Sequence, residues 1–274
     1  PAPGTEVQYN DQITYIVNDD GETCRVQCTD RYAIEGTVEI PSELDGFIVT
    51  EIADNGFNEC NSVDEIILPD TLKTIGEEAF GNCRNLPVIL IPDSVESIGD
   101  RAFEGCEMLT ILFQSGEVPE NQLHWKGSDA EIVTNVSEIG ETEDGKFHYY
   151  ITKDDLAGVY QYNGDEEDVI IPDKIEEVTV RRLNGGTFKE NKALKKITIP
   201  DLVTFIGSNA FYGCSSLEEA ILPKNLISIG YMAFYRCEKL NHVVLPKTVE
   251  SIDTYAFREC SSLTSIVVPN KITE

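Results

Sequence analysis

A phrase recurs along this chain at a fixed interval. Residues 206–246 read IGSNAFYGCSSLEEAILPKNLISIGYMAFYRCEKLNHVVLP, one pattern written nearly twice. Ile-Gly is followed by a small residue and Phe, then Cys, Leu, and a short apolar run closed by Pro. Pro200, Pro223, Pro246 and Pro269 are 23 residues apart, as are Pro69 and Pro92. Phe57, Phe80 and Phe103 keep the same interval, and so do Phe188, Phe211, Phe234 and Phe257. A unit this short cannot bury its own apolar positions, so successive units must stack into a solenoid.

The offsets within a repeat have a physical reading. In EEAILP, Ala220 and Leu222 share one face and Glu219 and Ile221 the other, which is strand periodicity. Pro ends the strand because it cannot donate to the ladder. After the second Ile stands Gly76, Gly99, Asn184, Gly207, Gly230 or Asp253, with Ala53 departing. These types predict a left-handed turn at that position. The small-Phe pair then opens a short helical or irregular turn with the Phe inward. The expected fold is an α/β repeat solenoid, made of two tandem leucine-rich repeat arrays of short strands and turns. Both arrays open in the same way: Pro41 to Pro69 and Pro172 to Pro200 are each 28 residues, preceded by the hairpin-like TYIVNDDGETCRVQC and HYYITKDDLAGVYQY. Such hairpins suit end caps, because a bare terminal repeat exposes its core. The expected divisions are a flexible segment 1–13, a first array 14–113, a degenerate cap and acidic linker 114–147, and a second array 148–274. Trp125 lies in the cap and residues 140–145 form the linker.

The phrase C-x-x-L-x-x-I-x-L-P-x-x-[LV]-x-x-I-G-x-x-A-F resembles that of the BspA-like leucine-rich repeat proteins. VEIPSELDGFIVTEIADNGF, residues 38–57, is similar to that family's opening repeat. The second opening repeat departs, with Glu176 and Glu177 where Asp45 and Gly46 stand in the first. The resemblance covers residues 14–113 and 148 to the C-terminus. It implies a surface or secreted protein, mainly bacterial, that adheres to proteins or cells, and it supplies no catalytic residues.

With 49 acidic against 21 basic residues the net charge is -28, which opposes phosphate backbones and anionic lipid. Nucleic acid is excluded as a partner. No apolar run approaches the roughly 20 residues that cross a bilayer, so direct membrane insertion is not expected. The opening PAPGTEVQ suits a chain cut after a leader or linker. Cys60, Cys83 and Cys106 share one register and Cys214, Cys237 and Cys260 another, with Asn191 in the equivalent place of the second array's first repeat. These six are expected to be buried, reduced thiols, since neighbouring Cβ vectors in a stack run parallel instead of converging. Cys24 and Cys28 stand about 13 Å apart along a strand, too far to share an ion or a disulfide. No metal or cofactor is expected. His124, His148 and His242 fall in unrelated contexts, no catalytic motif appears, and NDDGE and NGDEED read as turns. The chain is not expected to be an enzyme.

What remains is surface. The column just before the Leu-Pro positions reads Ile67, Leu90 and Phe113, then Thr198, Ile221, Val244 and Val267. Beside it stand Glu65, Val88 and Ile111, then Lys196, Glu219, His242 and Ser265. An apolar column on an outward strand face predicts a groove for a protein or peptide ligand. The candidate ligand residues are Ile67, Leu90, Phe113, Glu65, Val88, Ile221, Val244, Val267, Glu219 and His242. The expected function is a noncatalytic extracellular or cell-surface binding and adhesion module for a protein ligand, a glycan being the second ligand class. The alternative is an accessory carbohydrate-binding or docking domain of a larger exported enzyme. At the end, IVVPNKITE is expected to complete a strand over residues 266–269 without the next turn. An uncovered edge there predicts that the native chain continues, or that the edge self-associates.

Overall fold

The computed structural model describes residues 1–120, 122–126, 130–270 and 272. The chain divides into two compact units, Pro1–Asn135 and Val136–Glu274. In the first, Ile13–Val17 and Thr23–Cys28 form an antiparallel hairpin flanked by Glu6–Gln8. Thr23–Cys28 then pairs in parallel with Phe47–Ile52, which continues into the two-residue strands Thr74–Ile75 and Ser97–Ile98. The other wall is built from Gly36–Glu39 beside Val63–Ile67, and from Val88–Ile91, Thr110–Phe113 and Glu131–Val133. The second unit repeats the plan. Val136–Glu141, Phe147–Thr152 and Ala157–Tyr162 form an antiparallel meander. Val178–Leu183, Phe205–Ile206, Ser228–Ile229 and Ser251–Ile252 extend it in parallel. Asp168–Ile170, Lys196–Thr198, Glu219–Ile221 and His242–Val243 make the opposite wall.

The architecture is therefore a β-solenoid, which corrects the expected α/β class. Among the described residues the only helix is one turn, Gln122–Trp125. The small-Phe pairs open irregular turns instead. A second correction concerns residues 140–145, expected as a linker: they hold the end of strand Val136–Glu141 and the turn into Phe147–Thr152.

The left-handed turn lies elsewhere than expected. Gly76, Gly99 and Gly230 have ordinary φ, and the reason for Gly there is space. A Cβ on Gly76 would stand 2.6 Å from the Asp54 backbone nitrogen, and one on Gly230 2.7 Å from that of Ser208, so successive coils touch at this point. Positive φ falls in two later registers. One holds Asn55, Glu78 and Arg101, then Gly186, Asn209, Met232 and Tyr255. The other holds Glu59, Asn82 and Gly105, then Glu190, Gly213, Arg236 and Glu259. Most of these are not Gly, so the interlocking turn amides hold the backbone there against side-chain preference. Asn55, Phe57 and Glu59, for example, donate their N–H groups to Glu77, Ala79 and Gly81 of the next repeat at 2.7–2.8 Å. These two causes of Gly are separable in urea unfolding. Gly213→Ala, at φ 69°, is expected to cost about 1 kcal/mol through left-handed strain, since the new methyl meets only the movable carboxylate end of Glu190, at 2.7 Å. Gly230→Ala is expected to cost about 2–3 kcal/mol, because the new methyl meets backbone that cannot yield. Equal costs would refute the close-approach argument.

The core follows the sequence register. Phe57, Phe80 and Phe103 stack with centroids 5.8 and 5.5 Å apart, and Trp125 ends the row edge-on at 5.9 Å from Phe103. In the second unit Tyr162, Phe188, Phe211, Phe234 and Phe257 stack at 4.8–5.2 Å. Beside each row runs a thiol row. Cys83 and Cys106 donate to the carbonyls of Phe57 and Phe80, each at 3.1 Å. Cys214, Cys237 and Cys260 donate likewise to Phe188, Phe211 and Phe234 at 3.0–3.2 Å. All eight cysteines are free, and the six row thiols are buried. Burial pushes Cys106 and Cys214 up to about 12.

Candidate functional site

The outward residues of the long strand wall stand in columns because parallel neighbours pair in register, about 4.8 Å apart. In the second unit Ile170 pairs with Thr198 and Thr198 with Ile221. Val244 follows from the pairing of Val243 with Ala220. Ile170 is 70% exposed, Ile221 41%, Val244 65% and Val267 84%, whereas the alternate residues Val169, Ile197, Ala220 and Val243 are buried. Ile170 is absent from the predicted column because it precedes Pro172, where the first enlarged repeat of the second array opens. Its VIIP is the same strand-closing phrase as ITIP and AILP, which was the available signal.

The adjacent column is charged, with Asp168, Lys196, Glu219 and His242 in register. Lys196 Nζ lies 2.9 Å from Glu219 Oε2, and the hydrogen bond to Glu219 raises the Lys196 ammonium above its ordinary value. Two depressions interrupt this face. The smaller, about 230 Å³, is lined by Glu219, Ile221, His242 and Val244. The larger, about 840 Å³, lies between residues 241–247 and 265–270 and includes His242, Val244 and Val267. It exists because residues 263–269 form no strand, which corrects the strand expected there. Val267 and Val268 leave a gap where a paired strand would lie.

The first unit is different. Glu65 is exposed and accepts a hydrogen bond from Thr37 Oγ1 at 3.1 Å. Ile67 is 44% exposed, and Val88 and Leu90 are half-buried. Phe113 does not belong to this column: it is buried and packs 6.3 Å from Trp125. Ile111, its neighbour in the predicted pattern, is buried as well. The pairing shows why. Leu112 faces Leu90 and Phe113 faces Ile91, a spacing of 22 residues where 23 was assumed. Residues 86–89 read LPVI and residues 109–111 read LTI, so one residue is missing. A slip of one residue exchanges the faces of a strand. The absence of a Pro 23 residues after Pro92, where Ser115 stands, was the sequence signal.

Among the described residues no three His, Cys, Asp or Glu side chains gather as a metal site, and no helix is long and apolar enough to cross a membrane. The candidate site is thus an apolar column flanked by a column of charged and polar residues.

A family model described as the BspA type leucine-rich repeat region matches residues 49–142 and 165–274 in 6 copies. No curated protein sequence matches the chain significantly. Among solved structures, a leucine-rich cell surface protein from Faecalibacterium prausnitzii is 17% identical, with 100% of this chain and 90% of that one covered, at a TM-score of 0.48. A leucine-rich repeat protein from Bacteroides capillosus is 27% identical over 48% of this chain and 96% of its own, at a TM-score of 0.42. The pneumococcal vaccine antigen PcpA is 19% identical over 99% and 93%, at a TM-score of 0.40. With the repeat phrase, the stacked Phe and Cys rows and the matched residues in agreement, the chain belongs to the BspA-type leucine-rich repeat family.

Proposed function

We propose that this chain is a noncatalytic extracellular or cell-surface binding and adhesion module that takes a protein ligand on the outer strand face of its second unit. The observation that carries this reading is the adjacent pair Ile221 and Val244, 41% and 65% exposed in one outward column, with Ile170 at 70% in the same column beyond Thr198. Outward strand positions on a solvated face are ordinarily polar, and contiguous exposed apolar residues mark interaction surfaces. The flanking Lys196, Glu219 and His242 supply polar partners at the rim, the arrangement common to protein interfaces. Membership of the BspA-type family supports a repeat-built binding surface and an exported location.

The test is a screen of the chain against arrays of purified cell-surface and matrix proteins and of glycans. Binding to at least one protein is expected. A double variant, Ile221→Lys with Val244→Lys, is expected to weaken it by roughly tenfold or more while the unfolding midpoint stays within about 2 °C of the parent. Binding to glycans alone, or a double variant that binds like the parent, would overturn the reading.

A further inference from the structure

The first unit loses its regular coil after strand Thr110–Phe113. Where residues 68–75 and 91–98 read LPDTLKTI and IPDSVESI, residues 113–120 read FQSGEVPE. Ser97–Ile98 is the last strand of its wall among the described residues. In the coils before it, one backbone bond recurs. The Lys73 N–H donates to the Thr50 carbonyl and the Glu96 N–H to the Lys73 carbonyl, each at 2.8 Å. Among the described residues no backbone amide donates in turn to the Glu96 carbonyl. The stretch beyond it holds Pro119, which has no N–H to give. The wall therefore ends in an open edge.

Beside this edge lies a groove of about 510 Å³. Its floor is apolar, made of the buried Val95 and Phe113 with the half-buried Val118 and Pro119. Its sides carry Asp93, Glu96, Glu117 and Glu120, and no basic residue lines it. Two of these carboxylates are engaged within the unit. Asp93 Oδ1 accepts the Ser115 N–H at 3.2 Å, and Glu96 Oε1 lies 3.0 Å from Lys73 Nζ. Glu117 and Glu120 are exposed. The surrounding surface has the same sign. Residues 1–135 hold 27 acidic and 6 basic side chains, against 22 and 15 in the rest of the chain. The two depressions on the second unit, by contrast, are lined by Lys224, His242 and Lys247.

We propose that this groove docks an extended, basic segment of a partner protein, one in which Lys or Arg alternates with apolar residues. Each feature of the groove selects one property of that segment. The open edge takes an extended backbone, whose N–H donates to the Glu96 carbonyl. Strand alternation then sends every second side chain to the apolar floor and leaves the others for the rim. At the rim Glu117 and Glu120 meet cationic heads, while an acidic segment would face like charge there. This surface belongs to the first unit and does not depend on the ridge of the second.

The full chain is titrated with a fluorescein-labelled peptide of alternating lysine and valine, at about 0.15 M salt so that long-range attraction is screened. Saturable binding at one site is expected. Glu117→Gln with Glu120→Gln should weaken it roughly tenfold or more. Glu39→Gln with Asp64→Asn makes the same charge change at exposed sites elsewhere in the unit and should weaken it by less than about twofold. Putting glycine in place of valine in the peptide should cost roughly tenfold. A fully N-methylated copy, which offers no backbone donor, and a copy with glutamate for lysine should fail to bind. No binding of the lysine–valine peptide, or equal losses in the two double variants, would overturn the proposal. So would a glycine or N-methylated peptide that binds as tightly as the parent peptide. The four substituted carboxylates are exposed, and circular dichroism checks that both double variants remain folded.

Discussion

Replacing Phe211 by Ala is expected to destabilise the second unit by about 3–5 kcal/mol, the usual cost of emptying a fully buried aromatic site. Phe211 has no exposed surface and stacks on Phe188 at 5.2 Å and on Phe234 at 4.9 Å. Both faces of its ring are therefore interfaces between repeats. In a solenoid the stability of each unit is set by its two neighbours, so one deletion weakens two junctions. Phe257 gives the comparison, since it is only half-buried and meets Phe234 on one face. Phe257→Ala should cost about half as much, close to 2 kcal/mol. Urea unfolding of the two variants checks the difference. Equal losses would mean that local burial, and not the stacked row, carries the junction energy.

Phe113→Lys is expected to cost about 4 kcal/mol or more, enough to unfold the first unit in moderate urea, since it removes a buried ring and places an ammonium in its site. Ile67→Lys should change stability by no more than about 0.5 kcal/mol, because that side chain already meets water. The sequence pattern treats both residues as members of one outward column, while the structure puts them on opposite faces. Circular dichroism through a urea titration separates the two accounts. If the two variants unfold alike, the register of strand Thr110–Phe113 described above is wrong.

Where repeats are regular, the fold was legible without coordinates. The spacing of Phe57, Phe80 and Phe103 alone placed three stacked rings, because a ring recurring in one register of a solenoid must meet its own kind. Legibility failed where spacing slipped or where one residue type answers two needs. The missing residue after Leu109 reversed a strand and moved Phe113 inward. Gly76 and Gly230 were read as left-handed turns, yet a one-residue view cannot distinguish positive φ from lack of room for a methyl group. The true left-handed positions escaped notice because residues such as Glu78, Met232 and Tyr255 occupy them. At Glu78 and Met232 the conformation is held by their own N–H groups, which donate to the carbonyls of Asp100 and Thr254 in the next repeat, and is not encoded locally. The apolar ridge was half legible: Ile221 and Val244 were found by periodicity, but exposure depends on what else covers a face, and no periodicity reports that.

The thiol-to-carbonyl bond gives the molecule a set of internal gauges. Each row cysteine is shielded only while its own coil stays seated on the one before, so its alkylation rate measures the opening equilibrium of that single junction. Five such bonds, from Cys83 to Phe57 through Cys260 to Phe234, sample five junctions in one unmodified chain. Timed alkylation followed by peptide mapping would yield an opening free energy for each. A gradient along the second unit, fastest at Cys260 and slowest at Cys214, would show the array peeling from one end, whereas a common rate would show it opening as one body.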